Sequence, residues 1–214
     1  MDKRILLIGG GGHCKSVLDS LLIINEYSEI GIIDKKENIG KKIMGIQVLG
    51  CDKDLSKLYN SGFGYAFITI GSIGNPILRI KLYNIAKKIG FKFPKIADPS
   101  AVISEYAEIK TGTYVGKQAV VNTGAVINEC AIINTGAIIE HNCHIKEFVH
   151  IAPGAVLSGE VSVGQCTHIG ANATVKQQVQ IGSNSIIGMG SLVSRNIGDK
   201  ILAYGVPCKE IRKL

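Results

Sequence analysis

Residues 140–144 read Glu-His-Asn-Cys-His. Two imidazoles, a thiol and a carboxylate within five positions offer three readings: metal ligation, general-base catalysis by a histidine with orienting neighbours, or a polar surface without chemistry. A metal needs ligands that converge on one point. A general base needs a ring within reach of the proton it removes. The direction of each side chain decides between these, and the pattern of the surrounding chain sets those directions.

That pattern has a period of six. From Ile103 to Val193 every sixth residue is aliphatic, sixteen in succession without a slip, and four places after each comes a residue that is mostly small, such as Ala119, Ala125 or Cys143. No α-helix keeps a period of six on one face. A sustained hexapeptide repeat is the signature of a parallel β-helix, with the aliphatic residue pointing into the core and the small residue fitting a corner. Each coil then buries its apolar face against its neighbours. In this register Cys143 points inward while His141 and His144 point outward, so the trio does not converge and no metal site is expected. The six cysteines are scattered without a CxxC pair, and Cys130 and Cys166 lie two coils apart, about 10 Å, beyond disulfide reach. Free thiols are expected. His144 and His168 read as surface residues.

Before the repeat the rhythm is different. Arg4–Ile8 is a strand pattern ending in Gly9-Gly10-Gly11-Gly12. Residues 13–24 have helical spacing, Ile30–Ile33 and Tyr65–Ile70 are strands, and Pro76–Ile89 is an amphipathic helix stopping at Gly90. Strands alternating with helices predict a parallel, Rossmann-like α/β sheet. Phe91–Ser100, with Pro94 and Pro99, reads as a linker, so the expected division is an α/β domain over 1–98 and a β-helix domain over 99–214. A glycine run after a first strand suits close approach of phosphate to a helix N-terminus. The dinucleotide fingerprint G-x-G-x-x-G is incomplete, however, with Cys14 or Lys15 at its third glycine, although Asp34 stands where a ribose-binding acid would. The net charge of +7 is concentrated in residues 1–100, which hold 15 Lys/Arg against 9 Asp/Glu. That excess suits an anionic ligand. No basic patch with interleaved aromatics argues for nucleic acid. No apolar run approaches the roughly 20 residues of a membrane span, and the short run Ile5–Ile8 is no signal-peptide core. A cytoplasmic location is expected.

The glycine run in "LLIGGGGH", the unbroken hexads and the closing "AYGVPCKEIRKL" together make nearly the whole chain similar to the bacterial hexapeptide-repeat sugar acetyltransferases. That family includes nucleotide 4-amino-sugar N-acetyltransferases and sialic-acid O-acetyltransferases. The resemblance implies a left-handed β-helix of eighteen-residue coils, assembled as a homotrimer with active sites between adjacent prisms. It implies acetyl-CoA as donor and a nucleotide-linked 4-amino sugar as acceptor, with O-acetylation of a sialic acid as the alternative. His141 would be the general base, a role suited to a side chain whose ordinary pKa is near 6.5, and attack on the thioester would be direct. His150, Ala171 and Met189 would contact acetyl-CoA. Gly11, Gly12 and His13 would hold the nucleotide's phosphates, Asp34 and Lys35 its nucleoside, and Gly71 the turn beneath it. Many amino-sugar enzymes of the family carry Asp or Glu after the histidine. This chain has Asn142, which leaves Glu140 as the nearby carboxylate. Readings of another class are a non-catalytic scaffold that binds nucleotide sugar, and a nicotinamide-dependent enzyme.

Overall fold

The computed structural model describes residues 3–214. They divide into two compact units, one reaching Gly71 and resuming over Pro76–Ile96, the other comprising Ser72–Asn75 and Ala97–Leu214.

The first unit contains β1 (Arg4–Ile8), α1 (Gly12–Ile24), β2 (Glu29–Ile33), β3 (Lys42–Ile43), β4 (Ile46–Gly50), α2 (Leu55–Asn60), β5 (Tyr65–Ile68) and α3 (Ile77–Ile89). The sheet order is β3-β4-β2-β1-β5. All neighbours are parallel except β3, which forms an antiparallel hairpin with β4. Ile5 to Ile8 are completely buried, the continuous apolar run of a central strand in a parallel sheet. Helix α1 buries Val17, Leu18 and Leu21 and stops at Asn25, which takes the left-handed conformation. Helix α3 stops at Gly90 in the same way. Because β1 is flanked by β2 on one side and β5 on the other, the strand order reverses at its carboxyl end, where open α/β sheets form ligand crevices.

Phe91–Ser100 is not the free linker its prolines suggest. Phe91 and Phe93 are buried, Lys92 bridges to Tyr65, and Ile96–Ala97 is already a strand at the edge of one β-helix sheet.

The second unit is a left-handed β-helix of two-residue strands in three parallel sheets, one of which closes on the longer strands Ile201–Tyr204 and Lys209–Lys213, the last antiparallel. Val121 pairs with Ile139, Ile127 with Ile145 and Ile133 with Ile151. Each offset is eighteen residues, one coil. The aliphatic series from Val115 to Val193 is buried, and each such side chain contributes about 1.5–3 kcal/mol of hydrophobic stabilisation. In every hexad from Ile109 to Ile187 the residue three places after the aliphatic one has positive φ. Glycine or asparagine fills most of these corners, as the left-handed region favours. Polar residues in the small slot satisfy themselves on the backbone: Thr167 Oγ1 donates to Gly182 O at 2.6 Å and Thr113 Oγ1 to Asn128 O at 2.9 Å.

His144 is exposed as expected, but His168 is not. It stacks edge-on against His150, one coil away, at 4.9 Å between ring centroids. The segment Ser72–Asn75 covers this column: Ser72 O is bonded to His150, and a Cβ on Gly74 would lie 2.3 Å from Ile186, the residue paired with His168 on the following coil. A contact from a segment ninety residues upstream leaves no trace in the local pattern.

Burial holds the His168 pKa below the ordinary 6.5, because a desolvated imidazolium is disfavoured. The unfolded chain therefore binds a proton that the folded chain refuses. The stabilisation from neutral His168 is full above about pH 6.5 and is lost as pH falls through its folded pKa. We expect the melting temperature to drop on acidification below pH 6.5, and His168→Gln to flatten that drop. Thermal melts from pH 4.5 to 8 test this, and an identical slope in the variant would count against it.

Candidate active site

A cleft of about 1050 Å³ opens over the carboxyl ends of β1, β2, β4 and β5. Gly11, Gly12, His13, Asp34, Lys35 and Gly71, the residues expected to hold a nucleotide, all line it. The glycine run divides into two pairs. Gly9 has φ +110° and a Cβ there would lie 2.4 Å from Ile70, while a Cβ on Gly10 would meet Ile43 at 2.6 Å and the Asp34 carboxylate at 2.7 Å. The fold itself requires these two. A Cβ on Gly11 or Gly12 would meet nothing within 4 Å, and neither has positive φ. Their bareness keeps open the space before the N-terminus of α1. That helix has no side-chain cap and no acid in its first turn, and the positive end of its dipole lies at the cleft lined by Gly11, Gly12 and His13. Asp34 is oriented by Asn38, whose Nδ2 donates to Oδ2 at 2.9 Å. Lys35, Lys36 and Lys53 add positive charge along the lining.

In the second unit, Glu140, His141 and Asn142 occupy one corner of the prism, between the strands Ile138–Ile139 and His144–Ile145. His141 is exposed. Its ring lies over Gly159, one coil on, where a Cβ would come within 2.4 Å of Nε2. Asn142 Nδ2 is 3.4 Å from Nδ1. Glu140 Oε2 accepts from His141 N at 3.2 Å and from Asn122 Nδ2 at 3.0 Å. Cys143 is buried, its Sγ donating to Ser158 O at 3.2 Å, and burial pushes its thiol up to about 11. It has neither the exposure nor the acidity of a nucleophile.

His150, Ala171 and Met189 lie elsewhere on the prism. His150 is in a strand of a different sheet, and Ala171 and Met189 are in turns leaving that sheet. His150 is buried, donates from Nδ1 to Ser72 O at 2.7 Å, and accepts at Nε2 from Asn134 Nδ2 at 3.2 Å. Met189 is 81% exposed. One prism therefore does not bring these residues to His141.

Comparisons with known proteins cover both units. The family model described as the PglD N-terminal domain matches residues 4–86, and the one described as bacterial transferase hexapeptide (six repeats) matches residues 160–195. Comparison with curated proteins finds no match. Among solved structures, the chain is similar to perosamine N-acetyltransferase from Caulobacter crescentus, determined as a histidine-to-asparagine variant in complex with CoA and GDP-perosamine. The identity is 35%, over 98% of this chain and 97% of that one, with a TM-score of 0.92. The acetyltransferase domain of PglB from Neisseria gonorrhoeae, in complex with acetyl coenzyme A, is 32% identical over 99% of this chain and 100% of that one, also at 0.92. The chain belongs to the PglD-like hexapeptide-repeat sugar N-acetyltransferases. WeeI from Acinetobacter baumannii, 23% identical over 98% of this chain and 100% of that one, with a TM-score of 0.84, shares the fold.

In this sugar N-acetyltransferase, sequence reasoning passed over Gly159, Asn122 and Asn134. The signal was available in the coil length, since residue 159 lies eighteen places after His141 and residue 122 eighteen before Glu140.

Two predictions follow from the glycines. Gly12→Ala is expected to keep the melting temperature while raising KM for the nucleotide-bearing acceptor at least tenfold, whereas Gly9→Ala destabilises the protein; melts and acceptor titrations separate the two. Gly159→Ala has no φ barrier and clashes only with the movable ring of His141. It is expected to leave the fold intact and lower kcat by about tenfold or more, since a catalytic group displaced by about 1 Å costs on the order of 10². An alanine variant with unaltered kcat would show that the position of the ring is immaterial.

Proposed function

We propose that this enzyme transfers the acetyl group of acetyl-CoA to the amine of a nucleotide-linked 4-amino-deoxy sugar, with His141 as general base. The observation that carries the reading is the exposed His141 set between Glu140 and Asn142 on a rigid corner, in a chain similar along its length to an enzyme solved with CoA and GDP-perosamine. The amine nitrogen attacks the thioester carbonyl carbon. As the C–N bond forms, His141 takes a proton from that nitrogen. Collapse of the tetrahedral intermediate breaks the C–S bond, and the thiolate takes up the proton that His141 removed and leaves as CoA. No covalent acyl-enzyme is needed, in keeping with the buried Cys143.

For Nε2 to accept a proton, the other must sit on Nδ1. Asn142 has its amide nitrogen toward Nδ1. Turned by half a rotation, the amide would accept the Nδ1 proton and leave Nε2 as the base. We assign Asn142 this orienting role and Glu140 the nearby negative charge. The nucleotide moiety is held in the cleft of the first unit, with Gly11, Gly12 and His13 at the phosphates, Asp34 and Lys35 at the nucleoside and Gly71 at the turn below. Acetyl-CoA lies against Ala171, Met189 and the column that contains His150, which contributes by packing because both its ring nitrogens are engaged. The separation of these residues from His141 on one prism supports a site made by two copies, and the family resemblance supports a homotrimer as the assembly. We place the enzyme in the cytoplasm, where both substrates are made.

His141→Asn is expected to fold normally and to lower kcat by two or more orders of magnitude, measured by thiol release from acetyl-CoA across a panel of nucleotide amino sugars and free sialic acids. Asn142→Asp places a negative charge beside the ring, which raises an imidazole pKa. The acidic limb of its kcat/KM profile is expected to move to higher pH with activity retained near neutrality. Full activity in folded His141→Asn, or turnover of sialic acids alone, would overturn the assignment.

A further inference from the structure

The tetrapeptide Asn-Thr-Gly-Ala occurs at 122–125 and again at 134–137. In both copies the asparagine Oδ1 accepts the backbone N–H of the following threonine at 2.8 Å. That bond fixes which end of each amide is which. The oxygen is committed to the corner, so the amide nitrogen must point away, toward a side chain on the next coil. From Asn134 it reaches His150, and from Asn122 it reaches Glu140 Oε2 at 3.0 Å. Asn122 and Glu140 follow the paired residues Val121 and Ile139, so they occupy the same place on successive coils. Glu140 Oε2 thus takes two donors, Asn122 Nδ2 and its neighbour's backbone N–H. Oε1 has no protein partner among the described residues.

We propose that Asn122 is a positioning residue for acetyl transfer. Its amide, locked by the Thr123 N–H, pins one oxygen of Glu140 and leaves the other as the fixed acceptor that meets the substrate's amine beside His141. This rests on the reading of the corner as the acetyl-transfer site. Its consequence is specific: Asn122 acts only through Glu140. A carboxylate held at one oxygen by two N–H donors from a rigid corner loses little freedom when the amine arrives, and preorganisation of this kind lowers the cost of reaching the reactive geometry.

Asn122→Asp is the discriminating variant, because it keeps an oxygen for the Thr123 N–H, has the same shape, and replaces the donor that faces Glu140 by a carboxylate oxygen. The expected result is a loss of about tenfold in kcat/KM for the acceptor at pH 7. KM for acetyl-CoA should stay within twofold and the melting temperature should be unchanged. Two carboxylates sharing a site couple their titrations, so the variant's pH profile should also gain an ionisation that the parent lacks. In a Glu140→Ala background the same Asn122→Asp change should cost less than twofold, the non-additivity expected of residues in one network. Equal losses in both backgrounds, or no loss in the parent, would overturn the proposal. If Glu140→Ala alone is fully active while His141→Asn is dead, the acetyl-transfer reading stands and the inference about Asn122 falls. If both are fully active, both fall.

Discussion

The ladder between successive coils governs everything else in the second unit. Each coil donates and accepts backbone hydrogen bonds with the next at a fixed offset of eighteen residues, and the aliphatic stack from Val115 to Val193 locks that offset by burial. A slip by one residue would turn the aliphatic series out and the polar series in, at about 1.5–3 kcal/mol per side chain. No surface interaction competes with a cost multiplied over so many coils. Column arithmetic is therefore physical. Asn122 must lie beside Glu140, Gly159 against His141, and His168 against His150.

The same ladder explains why Asn142 follows the histidine. Its position is a corner with φ 56°, in line with Gly124, Glu160 and Gln178 at φ 68°, 62° and 63° on adjacent coils. Asparagine and aspartate are both enriched in left-handed backbone, so the corner accepts either. The backbone at this corner is indifferent between amide and acid, and the side chain that replaces one by the other lies beside the His141 ring. Gly124 completes the arrangement, since a Cβ there would lie 2.3 Å from Asn142 Oδ1. The amide has room because its neighbour has no side chain.

What the sequence makes legible follows from how local each cause is. The hexad pattern is repeated so often that it fixes the inward Cys143 and the outward His141 without coordinates. Helix α1, strands β1, β2 and β5 and helix α3 are marked by apolar spacing and by Gly90 as a stop, and they match to within two residues. The hairpin of β3 and β4 is not marked, because β3 has two residues and β4 has five of mixed burial, too few to carry a clear periodicity. The burial of His168 is illegible because its column is covered by the segment Ser72–Asn75, which is remote in the sequence. The glycine run is legible as a phosphate-type turn, yet only the neighbours Ile70, Ile43 and Asp34 reveal that Gly9 and Gly10 serve packing while Gly11 and Gly12 serve space.

Rigidity has a geometric consequence for catalysis. A prism built from stacked coils cannot fold one corner onto another, because doing so would break the ladder along its length. Glu140, His141 and Asn142 belong to the corner after Ile138–Ile139, whereas Ala171 and Met189 belong to corners after His168–Ile169 and Ile186–Ile187. Flexible loops often let a single chain gather distant residues into one site, but here no loop interrupts the coils between Ile109 and Ile187. Under the roles proposed for them, the two sets of residues would meet through a second prism that presents its Ala171 and Met189 edge to the His141 edge of the first. The hydrophobic repeat that makes the chain easy to read is thus also what keeps the His141 corner apart from the corners of Ala171 and Met189.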